Sequence, residues 1–350
     1  MKVAKCGIMM IIAVLVFAAA GRLLYPKYMS ASYEGNLTAE YYASEKDHQV
    51  LFIGDCEVYE NFSPMAMWRE HGVTSYIRGG AQQLIWHSYY TLEDTLYYET
   101  PDAVVFSVLA MKFGEPQSEA YNRLNLQGFR PSPVKVRAVS DNLMPGEDPL
   151  SYFFPILRFH DRWSELKSED FRYFFGPGRV AHNGFIIRGD IKPVTVVPTG
   201  LALADYTLPS ICWDYLDKMR LLCEKKGIEF VLIKAPSIWP AWYPQWDGQV
   251  AEYADKHGLL YVNLLDEAGE AGIDFDTDTY DGGLHLNVYG AEKMGAYLGG
   301  ILKDRFGLED LRGDAKTSEI WAEKGRLYDE MKAAQEREFE AEGKVLTLTY

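Results

Sequence analysis

The sequence predicts an α/β protein in three layers, α/β/α, around one doubly wound parallel sheet of about five strands. Three observations predict it. Short apolar runs ended by Gly or a polar residue recur along the chain, as strands buried on both faces do. Helical segments separate them, which calls for parallel βαβ units with right-handed crossovers. The chain of 350 residues is 48% hydrophobic and 14% aromatic, enough for a large core.

The elements follow in order. Residues 1–25 form a targeting segment: Lys2 and Lys5 precede an uncharged run from Cys6 to Ala20, followed by Gly21, Arg22, Leu23, Leu24 and Tyr25. This reads as a signal anchor, with Arg22 snorkelling to the interface, or as a signal peptide cut after Ala18-Ala19-Ala20. Either way the rest of the chain is expected outside the cytoplasm, single-pass and membrane-anchored or secreted. Residues 26–47 read as a polar, Tyr-rich connector.

Residues 48–306 carry the α/β domain. Val50–Ile53 is the first strand, Val58–His71 a helix, Thr74–Ile77 the second strand, and Gln82–Tyr98 a helix. Ala103–Leu109 is the third strand. A helix over Pro209–Lys226 leads to the fourth, Glu229–Ala235. A helix over Gly248–His257 leads to the fifth, Leu260–Leu264, and Ala291–Phe306 is the closing helix. Residues 110–205 break the rhythm and form a large insertion after the third strand, read as a cap over the site. Its most apolar piece is Phe153–Trp163, with Phe159 and Trp163 expected to fasten the cap to the core. Residues 307–350 form a C-terminal extension. Its charged helical stretch, Thr317–Glu342, reads as a solvated face. Lys344–Tyr350 reads as a short strand able to pair with Val194–Val197.

The formal net charge is −15. An acidic chain lacks the basic face that binding phosphates requires, so nucleic-acid binding is excluded as a main function. Four cysteines are too few for a disulfide scaffold. Cys212 and Cys223 share one predicted helix and stand ~16 Å apart along its axis, too far to bridge. No Walker loop or Gly-x-Gly-x-x-Gly motif is present, so no nucleotide cofactor is expected. Asp274, Asp276, Asp278 and Asp281 resemble the start of a calcium loop. Thr279 stands where an EF-hand needs Gly, and His285 where it needs Glu, so no metal site is expected.

Two segments carry chemistry. Asp281-Gly-Gly-Leu-His285 puts an acid and an imidazole on one loop, the pairing of a general base with the carboxylate that orients it. Tyr280 and Asp278 are placed to help orient the ring. Gly54-Asp55-Cys56 puts a nucleophile on a strand-to-helix turn, where the helix start is expected to lower the thiol pKa. In a doubly wound sheet both segments, and the Gly79-Gly80 turn, fall at the carboxyl ends of the strands.

The order of Gly54-Asp55-Cys56, the Gly79 turn and Asp281…His285 resembles the SGNH/GDSL hydrolase superfamily over residues 48–305. The Leu284-His285-Leu286-Asn287 stretch with Gly290 resembles its membrane-anchored branch, similar to alginate O-acetyltransferases and lipoteichoic-acid D-alanylation proteins. The resemblance implies a flavodoxin-like fold and acyl transfer or ester hydrolysis by a Ser-His-Asp triad. Carried over, Cys56 takes the nucleophile's place, His285 the base's and Asp281 the acid's. The oxyanion hole would come from the Cys56 amide, Gly79 and an Asn. The chain departs from the pattern in three places. Cys replaces Ser, one extra residue separates acid from base, and Ser107-Val-Leu-Ala-Met-Lys has no Asn, leaving Asn122 as the nearest stand-in. The expectation is an extracytoplasmic esterase or O-acyltransferase acting on an acylated glycan or other cell-envelope polymer, with a multi-spanning membrane acyltransferase as possible partner. The alternative is a catalytically lapsed relative that binds glycan or partners such an acyltransferase. Trp239 and Trp242 after the fourth strand suit stacking on a sugar ring, and Arg162 in the insertion suits an anionic or sugar ligand.

Overall fold

The structure is a computed structural model that describes residues 2–25, 33–176 and 179–347. Its centre is a five-stranded, all-parallel sheet: β1 (Val50–Gly54), β2 (Ser75–Gly79), β3 (Ala103–Ser107), β4 (Glu229–Lys234) and β5 (Leu260–Asn263), in the order β2-β1-β3-β4-β5. The expected three-layer fold is therefore present. Every residue of β1 and β3 is buried, as continuous apolar runs require. Successive residues serve opposite layers. Val50, Phe52, Val105, Val231 and Ile233 enter one core, and Leu51, Ile53, Val104, Phe106, Phe230 and Leu232 the other.

The helices are α1 (Lys2–Leu24), α2 (Tyr33–Ala43), α3 (Cys56–Asn61), α4 (Pro64–His71), α5 (Ile85–Thr95), α6 (Glu119–Gln127), α7 (Pro133–Asn142), α8 (Ile156–Phe159), α9 (Ser168–Phe175), α10 (Ser210–Lys226), α11 (Pro244–His257), α12 (Val288–Phe306) and α13 (Ala315–Glu342). The single helix expected over Val58–His71 is two. Ser63 caps α4 by accepting from the Ala66 amide, and Pro64 at the first turn cannot continue α3. The first core lies under α3, α4, α12 and α13, and the second under α5, α10 and α11.

Helix α1 is long and apolar enough to cross a membrane, over Lys5–Leu24. The connector is not merely polar. Within it α2 buries Leu37 and Tyr41, and the Tyr41 hydroxyl donates to Glu99 at 3.0 Å. The extension is not merely a solvated face either. Trp321 of α13 stacks on Trp68 of α4 with ring centroids 5.2 Å apart, and Tyr328 is fully buried. Residues 344–347 form no strand. They fold back on α13, the Leu346 and Thr347 amides donating to Glu338, and residues 348–350 of the expected strand lie outside the described residues.

The insertion divides its work. Its last part runs beside the Asp281–His285 loop: the Lys192 amide donates to the Thr279 carbonyl at 2.8 Å, and the Val288 amide to the Arg188 carbonyl at 2.8 Å. Its middle does not fasten to the core as expected. Phe159 packs edge-on against Tyr25 beyond α1, and Trp163 is exposed.

Candidate active site

Strand β1 ends at Gly54, where a Cβ would come within 3.0 Å of Ser107 and Val58. Only glycine lets the chain turn so tightly into α3 between β1 and β3. Asp55 caps the helix by accepting from the Glu57 amide at 3.1 Å, which places Cys56 at the first helical position, partly exposed. Gly79 permits the neighbouring close approach: a Cβ there would lie 2.9 Å from Val58 and Tyr59 and 3.2 Å from the Asp55 carbonyl oxygen. The Gly79 backbone thus lies against the turn that carries Cys56.

On the other side, Asp281 and His285 are brought together. His285 Nδ1 and Asp281 Oδ2 are 2.7 Å apart, and the second carboxylate oxygen accepts from the Leu284 and His285 amides at 3.1 and 2.9 Å. Gly282 and Gly283, at φ 85° and 101°, close the spacer between Asp281 and His285 through a left-handed turn that other residues adopt at a cost. A side chain at Gly283 would also strike Val194, 2.8 Å from its Cβ position. His285 is buried, and its Nε2 has no hydrogen-bond partner among the described residues.

Helix α3 joins the two halves. Glu60 lies one turn after Cys56, on the same helical face. Its Oε2 is 3.2 Å from His285 Nδ1, and it also accepts a short hydrogen bond from the Tyr280 hydroxyl. Tyr280 lies nearly parallel to the His285 ring, 12° between planes, so it does orient the imidazole. Asp278 has another task. It pairs with Lys293 at 2.6 Å and caps the Asp274 amide at 2.7 Å. Asn61 ties α3 to the loop, its Oδ1 accepting from the Leu286 amide at 2.7 Å and its Nδ2 donating to Ser237 Oγ at 3.2 Å.

Beneath the turn is an ion pair that sequence reasoning did not find. Glu57 and Lys234 are both fully buried, and Lys234 Nζ donates to Glu57 Oε1 at 2.7 Å. Ser107 Oγ donates to the other carboxylate oxygen at 2.8 Å, and Lys234 also donates to the Ala235 carbonyl at 2.6 Å. Lys112, in the 3-10 turn after β3, carries its charge close to Glu57, Asp55 and Cys56.

The electrostatics reverse one expectation. Burial pushes the Cys56 thiol well above its ordinary pKa, and the carboxylates of Asp55, Glu60 and Glu57 add to this. The start of a six-residue helix does not offset them. Burial opposes charge on His285, but Glu60, Asp281 and Asp55 outweigh it and raise the imidazole pKa. Burial lowers Lys112 to about 8, against the pull of the carboxylates. At neutral pH the thiol on α3 is therefore protonated, and Glu60, Asp281 and Asp55 favour the charged form of the imidazole more than water does.

The remaining expected residues do not join this cluster. Asn122 Nδ2 donates to the Asn142 carbonyl at 2.8 Å and its Oδ1 bonds His87 Nε2 at 2.8 Å, so its amide serves the packing of the insertion. Asn125, one turn later, is the residue that reaches the Gly79-Gly80 turn, donating to the Ala81 carbonyl at 2.9 Å. Trp242 donates to Asp247 at 3.0 Å and packs beside Trp246, a structural bracket. Trp239 is partly exposed and follows Ile238, whose amide donates to the Gly283 carbonyl at 2.8 Å. Its backbone is thereby tied to the Asp281–His285 loop. Arg162 Nη1 donates to the Leu24 carbonyl at 2.6 Å and so ties the insertion to α1. Among the described residues, no group of His, Cys, Asp and Glu is arranged to hold a metal ion. Comparison with protein-family models finds no match to this chain, and comparison with curated proteins finds none either.

Proposed function

We propose that the protein is an SGNH-like esterase or O-acyltransferase, anchored by α1 with its α/β domain outside the cytoplasm. In this reading Cys56 attacks an ester or thioester carbonyl, His285 takes the thiol proton through Nε2 and returns it to the leaving group, and Asp281 holds the ring. The observation that carries the reading is the 2.7 Å Asp281–His285 bond with the opposite ring nitrogen buried and unpaired. That is the arrangement of an oriented base awaiting a proton donor. Because the thiol is protonated at rest, attack depends on the base rather than on a standing thiolate. Cys56, the Gly79 backbone and the Lys112 charge are the groups available to a developing oxyanion. An acylated envelope glycan or polymer is the proposed substrate, with Trp239 beside the site as a stacking surface, and a membrane acyltransferase is the proposed donor.

A second reading rests on the raised thiol. Burial, with Asp55, Glu60 and Glu57 beside it, holds the Cys56 thiol well above its ordinary pKa and leaves little thiolate for attack, and the chain would then be a lapsed relative that binds glycan or a partner. Turnover of p-nitrophenyl acetate by the full-length protein separates the two. Turnover lost in Cys56→Ala supports the enzyme. Turnover absent in the natural chain yet present in Cys56→Ser supports the lapsed reading.

A further inference from the structure

The middle of the insertion, residues 148–175, forms an apolar collar around the end of α1, and nothing described covers its outer face. Leu150, Phe154, Leu157, Trp163, Phe171 and Phe175 all expose their side chains, Trp163 at 71% and Phe175 at 83%. Six large apolar side chains exposed on one short segment are unusual for a water-facing surface, and exposed apolar area of that kind marks interaction sites. The patch continues the apolar wall of α1, whose residues Ile8–Phe17 are themselves exposed. Phe154 meets Phe17 edge-on with centroids 6.3 Å apart, and Ile156 fits against Gly21. Arg162 bonds the Leu24 carbonyl, and Phe159 packs on Tyr25, so the collar is fixed to the helix.

Length decides what covers it. The apolar stretch Lys5–Leu24 has 20 residues. At 1.5 Å per residue it spans about 30 Å, the thickness of the hydrocarbon core of a bilayer. If α1 fills that thickness, Leu24 lies near its boundary and Phe17 roughly 10 Å below. A side chain that touches Phe17 must then dip beneath the boundary. Interfacial helices penetrate to about 5–10 Å, with aromatic side chains at the headgroup level. The charges agree with lipid rather than an anionic headgroup: Arg158, Arg162, Lys167 and Arg172 are balanced by acidic neighbours in the same segment.

We infer that residues 148–175 are a membrane-seated collar, immersed in the bilayer interface where α1 ends. It carries the α/β domain at a fixed height above the lipid. The inference rests on α1 spanning a membrane. It predicts apolar insertion with weak dependence on lipid charge.

The test uses full-length protein reconstituted in phosphatidylcholine vesicles whose acyl chains carry bromine, a short-range quencher of tryptophan. The expected result is that Trp163→Phe removes more than half of the quenchable fluorescence, equally at low and high salt. Equal quenching in the two proteins overturns the collar. A chain that alkaline carbonate strips from the vesicles refutes the membrane span itself, so the two failures are distinguishable. Trp163 is exposed, so its replacement leaves the fold intact.

Discussion

Replacing Lys234 by Met tests how Cys56, the proposed nucleophile, is positioned. Lys234 and Glu57 are each fully inaccessible, and the 2.7 Å pair joins the end of β4 to the first turn of α3. Methionine matches the volume but leaves the Glu57 carboxylate buried with only Ser107 as a side-chain donor. Removing one partner of a buried pair costs about 3–5 kcal/mol, because the remaining charge is uncompensated. For a domain of this size the melting temperature should fall on the order of 10 °C. Glu57 follows Cys56, so acylation should fall as well. The double replacement Glu57→Leu with Lys234→Met removes both charges and should recover most of the stability, since apolar substitutes for buried pairs are often neutral or stabilising. The assay is thermal unfolding of the full-length chain in detergent, followed by far-ultraviolet circular dichroism. A single variant that melts within about 1 °C of the natural chain, a shift well under 1 kcal/mol, would refute the reasoning.

Other outcomes follow from the same geometry. The proposed esterase activity should be bell-shaped in pH. The neutral, basic form of His285 gathers only above the ordinary imidazole range because its pKa is raised, while Lys112 loses its charge through about 8. A profile already at its plateau at pH 6, below the ordinary imidazole value of about 6.5, contradicts this. Glu60→Gln removes the foremost charge that raises His285 and should move the rising limb to lower pH. Asn61→Ala strands the buried Leu286 amide, at a cost of about 1–3 kcal/mol measurable by denaturant unfolding.

Much of this is legible in the sequence for local reasons. A strand buried on both faces is a short apolar run, so β1, β3 and β4 stand out without knowledge of their neighbours. Asp281 and His285 meet through a five-residue turn whose two glycines announce the left-handed backbone. The rest depends on distant partners. Lys234 reads as the polar end of a strand until Glu57, 177 residues away, is placed beside it. Tyr41 and Trp321 lie in segments of polar composition and are buried only because Glu99 and Trp68 receive them. Asn122 is the asparagine nearest the third strand along the chain, but nearness in sequence does not aim its amide. Asn142 and His87, supplied by the folding of the insertion and α5, engage it instead. The raised Cys56 pKa has the same origin. Cys56 follows an ordinary polar turn in sequence, and its thiol is raised only when α3 packs, first by burial and then by Asp55, Glu60 and Glu57 beside it.

The central claim is that Cys56 and His285 form one reacting site, and intact-protein mass spectrometry tests it most directly. Full-length protein is pulsed with p-nitrophenyl acetate, quenched in acid and mapped for the acyl adduct. The account predicts an acetyl group on Cys56 that forms about 10²–10⁴-fold more slowly in His285→Ala, the contribution of a positioned base. An adduct that forms equally fast without His285, or at the other cysteines and not at Cys56, would contradict it.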